Sequence, residues 1–258
     1  LQYELSYTNI LNILDLGKIE ILAKDRKLDD PFVMVGGPCA YNSEPLADFV
    51  DIVILGEGEE VNLEVLNVYK EWKKNKTTRE DFLMMASKIE GVYIPSFYDV
   101  TYNEDKTVKE TIPNREGIPA NPRKRIIKNM DEVPYPEALI VPYIETVHER
   151  VVLELFRGCT RGCRFCQAGM IYRPIREKSI ETLKTSLDKL IKSTGYDEIS
   201  LSSLSTSDYS KLSELTDVLI EEYASKNIGI SLPSLRLDNF TMEIAEKIQQ
   251  VRKSGLTF

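Results

Sequence analysis

The sequence predicts an α/β protein built from two regions. In both halves of the chain, short apolar, β-branched runs alternate with segments whose apolar residues recur every three or four positions. Such strand–helix alternation implies a parallel sheet covered by helices. Between the halves lies a proline-rich stretch, with prolines at 113, 119, 122, 134, 136 and 142. Proline fixes φ and lacks an N–H, so this stretch forms neither a long helix nor a central strand and serves as a connector.

Taken in order, Leu1–Tyr7 is expected to be a strand that feeds a helix through Ile10, Ile13 and Leu14. Phe32–Val35 is a second strand, ending at Gly36-Gly37-Pro38, and Asp51–Leu55 a third, ending at Gly56-Glu57-Gly58-Glu59. Val61, Val65, Val68 and Trp72 then mark one face of a helix. From about residue 91 to 110 the pattern changes to short β-like pieces such as Gly91–Ile94, expected to form a small appended hairpin.

Beyond the connector, Val151–Phe156 is a strand. A helix carrying Ile180, Leu183, Leu187, Leu190 and Ile191 follows and stops at Gly195. Strand Glu198–Leu201, a helix through Leu212, Leu215, Leu219 and Tyr223, and strand Ile228–Leu232 come next. A helix with Ile244, Ile248 and Val251 ends at Gly255, and Leu256–Phe258 starts a fourth strand. The expected division is a partial Rossmann-like domain over 1–75, then a helix, β insertion and connector over 76–147, and the first half of a βα barrel over 148–258. Three βα units and the start of a fourth cannot close a barrel. The chain also lacks an initiating Met, so it is expected to be a piece of a longer protein, cut at both ends.

Composition narrows the class. At 258 residues and 42% hydrophobic, the chain can fill one large domain or two ordinary ones. No apolar run approaches membrane-spanning length, and the first residues lack the basic start of a signal peptide. The net charge of −8 argues against a surface that grips nucleic acid throughout, without excluding a local basic site. Four cysteines, three of them within eight residues, do not make a disulfide framework; they point to a reducing compartment, the cytoplasm. His148 is the single histidine, which leaves little room for a Ser–His–Asp triad or a Cys2His2 zinc site.

The chemistry-bearing text is Arg157-Gly158-Cys159-Thr160-Arg161-Gly162-Cys163-Arg164-Phe165-Cys166-Gln167-Ala168-Gly169, a C-x3-C-x2-C pattern between a strand and a helix. In parallel α/β proteins ligand chemistry gathers at the carboxyl ends of strands. Gly158, Gly162 and Gly169 let the backbone wrap closely around a bulky group. A [4Fe–4S] cluster needs four ligands and the loop offers three thiolates. One iron is left for an outside chelate such as the amino and carboxylate groups of S-adenosylmethionine (SAM). Reductive cleavage of SAM to a 5′-deoxyadenosyl radical is the chemistry such a pair supports. Arg157, Arg161 and Arg164 are expected to place positive charge around the cluster. A zinc knuckle with Cys39 or His148 as fourth ligand competes, but zinc cysteines come as separated pairs. A plain ferredoxin needs a fourth cysteine.

C-x3-C-x-aromatic-C, with Phe165 as the aromatic, resembles the radical SAM superfamily signature. The wider strings RGCTRGCRFCQAGMIYRPIRE and PYIETVHERVVLELF resemble a narrower group with an N-terminal cobalamin-binding-like domain. GGPCAYNSEPLADFVDIVILGEGEE resembles the last part of that domain. The resemblance implies a partial TIM-type barrel, cluster ligation by Cys159, Cys163 and Cys166, and packing of Phe165 near the SAM adenine. The family's Gly-Gly-Glu after the second strand is replaced here by Leu201-Ser202-Ser203-Leu204-Ser205, so Ser202 and Ser203 become the candidates for the SAM amino group. Ser234 and Arg236 stand where such barrels contact SAM. Further SAM motifs would lie beyond Phe258, so the piece alone is expected to be inactive. Gly36, Gly37, Gly56 and Gly58 match the positions where small residues admit cobalamin. The resemblance also implies an external electron donor of flavodoxin or ferredoxin type.

The same reading leaves an unknown substrate, with methylthiolation of RNA or protein, or a non-catalytic zinc or iron–sulfur module, as the competing functions. Cys39 is expected to be a small buried or loop thiol, and His148 a polar boundary residue. Glu57 and Glu59 suit either a ligand contact or the positive end of a helix dipole. Arg173, Arg176 and Lys178 are expected to meet solvent or acidic neighbours.

Overall fold

A computed structural model describes residues 1–75, 77–236, 238 and 242–249. The chain divides into two compact units, Leu1–Ile127 and Lys128–Phe258. The division falls inside the span assigned from sequence to the insertion and connector.

In the first unit, helix α1 (Tyr7–Leu16) precedes a three-stranded sheet ordered β1 (Met34–Val35), β2 (Ile52–Ile54), β3 (Val92–Tyr93). The expected strand at Leu1–Tyr7 is not formed: Glu4–Ser6 is a turn of 3-10 helix leading into α1. Leu1 and Tyr7 pack against the core, but Tyr3 and Leu5 between them are exposed, so an extended strand would leave part of its apolar face uncovered. β1 runs parallel to β2 in the register Met34↔Ile52, but β3 runs antiparallel to β2, pairing Val53 with Tyr93. Gly91–Ile94 therefore joins the main sheet and not the appended hairpin, and the sheet is mixed. The cause is the connection: α2 (Gly58–Asn75) and α3 (Arg79–Ala86) form two helical passes between β2 and β3, which return the chain in the opposite sense.

Period-two alternation divides the core of this unit. Ile52 and Ile54 pack with Val61, Val65 and Trp72 of α2 and Phe82 of α3, whereas Val53 packs on the other face with Ala40, Leu46 and Val50. Thr78 caps α3 in a reciprocal box with Asp81. The hairpin β4 (Tyr98–Tyr102) and β5 (Val108–Pro113) follows as expected.

Beneath β2, Asp51 is buried and receives Arg26 Nη1 at 2.7 Å, Arg79 Nη2 at 3.0 Å and the Val33 N–H at 2.7 Å. The Arg26 side chain is fully buried and also donates to the carbonyls of Glu20, Ile21 and Phe49.

In the second unit three strands form one parallel sheet ordered β10-β9-β6. Strand β6 is Val151–Glu154, β9 is Glu198–Ser202 and β10 is Gly229–Ser231. Helices α5 (Ile180–Thr194), α6 (Leu212–Tyr223) and α7 (Met242–Gln249) cover it through Leu183, Leu187, Leu190, Leu215, Leu219, Ile244 and Ile248. Adjacent strands are sequential and each is followed by a helix, the winding of a βα barrel. Among the described residues no barrel closes; the strand expected at Leu256–Phe258 lies outside them. Ser179 caps the start of α5, and Gly195 ends it in the left-handed conformation, φ 72°.

The run expected as one strand, Val151–Phe156, is split at Leu155. Its N–H donates to Ser202 O on β9 at 3.0 Å, while its carbonyl accepts from Lys178 N at 2.9 Å. Beyond the split, β7 (Phe156–Arg157) pairs antiparallel with β8 (Arg176–Glu177), and the short helix α4 (Ala168–Ile171) lies between them in sequence. The cysteine loop thus leads first into α4 and β8, and only then into the helix at Ile180.

Asp51→Ala is expected to lower the stability of the first unit by about 3–5 kcal/mol, because it leaves the buried Arg26 charge without its carboxylate. Faster hydrogen exchange of the β2 amides, together with a lower urea midpoint, is the check; an unchanged midpoint would contradict it.

Candidate functional site

The cysteine loop, 158–167, springs from the β7–β8 ribbon at the carboxyl end of β6. Gly158 sits at φ 102°, and a Cβ there would lie 2.4 Å from Pro174 O, so both conformation and space demand glycine. Gly162 also takes a positive φ, 65°. The Cys166 N–H donates to Cys163 O at 2.9 Å, folding the last two cysteines into one turn. Gly169 of α4 faces the loop: a Cβ would stand 3.8 Å from both Cys159 O and Gly162 N.

Cys159, Cys163 and Cys166 are free thiols, each half-buried. Among the described residues, no three Cys, His, Asp or Glu side chains converge on one point as ligands of a single ion. A cubane cluster presents a separate iron corner to each thiolate and asks for no such common point. Three free thiols on one glycine-hinged loop are a donor set of the chemistry a cluster takes. Phe165 projects into solvent, 93% exposed, and packs against no buried core.

The ends of β9 and β10 complete the surroundings. Ser202 closes β9, and Ser203 Oγ shares a hydrogen bond of 3.0 Å with Thr206 Oγ1. Ser205, which the sequence reading did not single out, is buried, and among the described residues its hydroxyl has no hydrogen-bond partner. A buried, unmatched hydroxyl invites a ligand atom or a water. Ser234 adopts φ 56°, and its carbonyl accepts from Thr206 N at 3.0 Å, tying the two strand-end loops together. Arg236 reaches the cysteine loop: its Nη1 donates to Cys163 Sγ at 3.8 Å.

Of the three arginines expected to place positive charge around the cluster, two are paired with carboxylates and Arg164 is exposed. Arg157 is paired with Glu154, its Nε 2.8 Å from Oε1, and Arg161 is paired with Asp208. Their charges are matched by carboxylates that lie far off in sequence or one strand turn back. Lys178 is buried and meets Glu154 Oε2 at 3.5 Å and the Tyr135 ring at 4.3 Å. It meets the acidic neighbour and not solvent. Burial lowers its pKa against the opposing pull of Glu154. Tyr209 donates to Lys178 O at 2.8 Å, and burial pushes its phenol up to about 12, so it stays protonated.

In the first unit, the four glycines divide. A Cβ on Gly37 would lie 2.8 Å from Leu1 O, and one on Gly56 only 2.1 Å from Arg125 O; both have positive φ. Gly56 and Arg125 form a β-bridge. The close approach at Gly37 and Gly56 is therefore made by the protein's own backbone. At Gly36 a Cβ would make ordinary contact with Ile54, and at Gly58 it would press on the Asn62 side chain. Glu57 accepts from Ile127 N at 2.6 Å, and Glu59 stands in the first turn of α2. Cys39 is buried, and His148 is bonded to Arg150 at the surface.

A parallel βα sheet carrying a three-cysteine loop at its strand ends places the second unit in the α/β class. Residues 153–258 match the family model of the radical SAM superfamily, and residues 1–95 match the model described as radical SAM proteins, N-terminal. The chain thus carries the radical SAM superfamily domain in its second unit. It is 28% identical over 249 residues to an uncharacterized protein of Methanocaldococcus jannaschii, MJ0966, covering 95% of this chain and 45% of that one. It is 26% identical over 211 residues to a provisionally named methylthiotransferase of the same organism, MJ0865, covering 72% of this chain and 45% of that one. The chain spans less than half the length of both relatives.

Among solved structures it resembles the cobalamin-dependent SAM radical enzyme OxsB, with aqua-cobalamin and SAM bound: TM-score 0.53, 16% identity, 95% of this chain and 32% of that one. It also resembles the radical SAM methyltransferase TsrM of Kitasatospora setae, with cobalamin and a [4Fe–4S] cluster bound: TM-score 0.54, 12% identity, 88% and 41%. At these identities the likeness is one of fold.

Two outcomes are expected. Cys163→Ala should abolish iron uptake in anaerobic reconstitution while Cys39→Ala leaves it at the wild-type level, read as iron per chain; equal iron in wild type and Cys163→Ala would refute the ligand assignment. Gly56→Ala should cost about 1–3 kcal/mol of stability from backbone strain alone, visible as a lower urea midpoint with no cofactor present.

Proposed function

We propose that the protein is a radical SAM enzyme in which Cys159, Cys163 and Cys166 hold a [4Fe–4S] cluster. The observation that carries this reading is the C-x3-C-x2-C loop at the carboxyl end of β6, inside the segment that matches the superfamily. When bound, the cluster and SAM supply reductive C–S cleavage and a 5′-deoxyadenosyl radical. The chain's own residues position and shield. Gly158 and Gly162 shape the loop, and Gly169 admits it close to α4. Ser205, with its unmatched buried hydroxyl, and Ser202 and Ser203 offer donors for the SAM amino-acid end. Ser234 and Arg236 stand beside them, and Phe165, exposed on the loop, is available to cover the adenine. Lys178 and Glu154 form the polar floor under the loop. The reducing electron comes from an external flavodoxin- or ferredoxin-type donor, in the cytoplasm. Among the described residues no helix is long and apolar enough to cross a membrane.

Cobalamin use is supported by the fold likeness to OxsB and TsrM; Gly37 and Gly56, closed by the chain's own backbone, do not add to it. The similarity to MJ0865 favours a second reading, methylthiolation of RNA or protein. The resemblance implies a further cysteine set in the N-terminal domain for such enzymes, and here that region holds Cys39 alone.

Anaerobic reconstitution tests the proposal. The expected result is about four irons and four sulfides per chain, a spectrum altered by SAM, and 5′-deoxyadenosine after reduction of the full-length protein. About eight irons would favour methylthiolation, and stoichiometric zinc without iron uptake would overturn the enzyme reading in favour of a binding module.

A further inference from the structure

Four charged side chains that no sequence pattern links meet beside the cysteine loop. Arg161, on the loop, grips Asp208 from the β9–α6 connection with two prongs, Nε to Oδ2 at 2.8 Å and Nη2 to Oδ1. Its Nη1 lies 3.9 Å from Asp238 Oδ2. Asp238 accepts two hydrogen bonds from Arg236, at 3.0 and 2.7 Å. Arg236 Nη1 donates to Cys163 Sγ at 3.8 Å, and its main-chain N–H donates to Ser207 Oγ at 3.2 Å. The row runs Asp208, Arg161, Asp238, Arg236, Cys163, alternating in sign up to the sulfur.

We propose that this row is a latch that fixes the cysteine loop across the carboxyl ends of β9 and β10 before any cluster binds, and that Arg236 sets the cluster's reduction potential through Cys163. The latch stands on the geometry; the effect on potential rests on the radical SAM reading above. An isolated surface ion pair holds little, but two-pronged arginine pairs joined in a network are the exception. The planar guanidinium of Arg161 accepts one orientation of the Asp208 carboxylate, so the pair fixes direction as well as distance. Both acids come from loops that follow sheet strands, and both arginines converge on the cysteine loop. Arg161 and Arg236 are positioning residues. Gaining an electron makes a cluster more negative, and a cationic donor on a ligand sulfur favours that state and raises the potential.

Hydrogen exchange on the metal-free full chain tests the latch. Asp208→Asn should speed exchange of the 158–167 amides about tenfold, leaving the β6 and β9 amides unchanged. Asp208→Glu, which keeps a carboxylate for the Arg161 guanidinium, should retain most of the protection. Equal loop exchange in wild type and Asp208→Asn overturns the latch.

The second role is read in reconstituted protein by an EPR-monitored redox titration. At wild-type iron content, Arg236→Leu should lower the reduced-to-oxidised ratio at fixed potential about tenfold, which is about 59 mV for one electron. Arg236→Lys should recover part of the shift. Where Arg236→Leu loses its fold, Arg236→Gln, which removes the charge but keeps a polar side chain of similar reach, should move the potential in the same direction. An unmoved midpoint overturns the assignment to Arg236. A wild type that binds zinc and no iron overturns the radical SAM reading and this second role with it, while the exchange measurement still decides the latch.

Discussion

Leu155 is the residue on which the second unit turns. A parallel strand must satisfy the N–H and C=O groups on both edges, and here the two are shared between different partners. The N–H goes to Ser202 on β9, which keeps β6 in the sheet, and the carbonyl goes to Lys178, which peels the next two residues into the β7–β8 ribbon. The cysteine loop is therefore not a free crossover between strand and helix. It is clasped at its base by a second, orthogonally used piece of backbone pairing. The requirement for glycine at 158 follows, since Pro174 from the returning strand occupies the space a side chain would need.

Charge placement follows from the same clasp. Glu154, Arg157 and Lys178 are drawn together because Lys178 returns beside the strand that carries the other two. The buried lysine is tolerated because a carboxylate and an aromatic face receive it. The first unit solves a similar problem with one acid for two guanidinium groups: Asp51 at the foot of β2 answers Arg26 and Arg79, and the backbone around them accepts the remaining N–H groups. In both units a single carboxylate at a strand end receives two cations, at least one of them from a distant segment.

Much of the architecture was legible in the chain. The helix at 180–194 announced itself through Leu183, Leu187 and Leu190 and through Gly195, because helical periodicity and a left-handed cap are local requirements. The strand cores at Ile52–Ile54 and Glu198–Ser202 were equally local, and the hairpin expected over about 91–110 forms at 98–113, without Gly91–Ile94. The failures share one cause. Leu1–Tyr7 has strand-like composition, but only its ends, Leu1 and Tyr7, find cover while Tyr3 and Leu5 stay exposed, and Val92–Tyr93 belongs to the main sheet because two helices, not one, carry the chain back to it. Burial and strand direction are decided by the partner element, which lies outside any local window.

For the site the division is the same. The spacing of Cys159, Cys163 and Cys166 and the glycines among them were set by the chain alone, since ligand type and loop flexibility are properties of consecutive residues. The folded molecule alone decided that Asp208 would pair with Arg161, that Arg236 would reach Cys163, that Ser205 would be buried with no hydrogen-bond partner among the described residues, and that Arg125 would close on Gly56. The three pairings join residues from separate βα units or distant loops. Coulomb attraction and steric contact depend on distance in space, and only the packed sheet sets that distance.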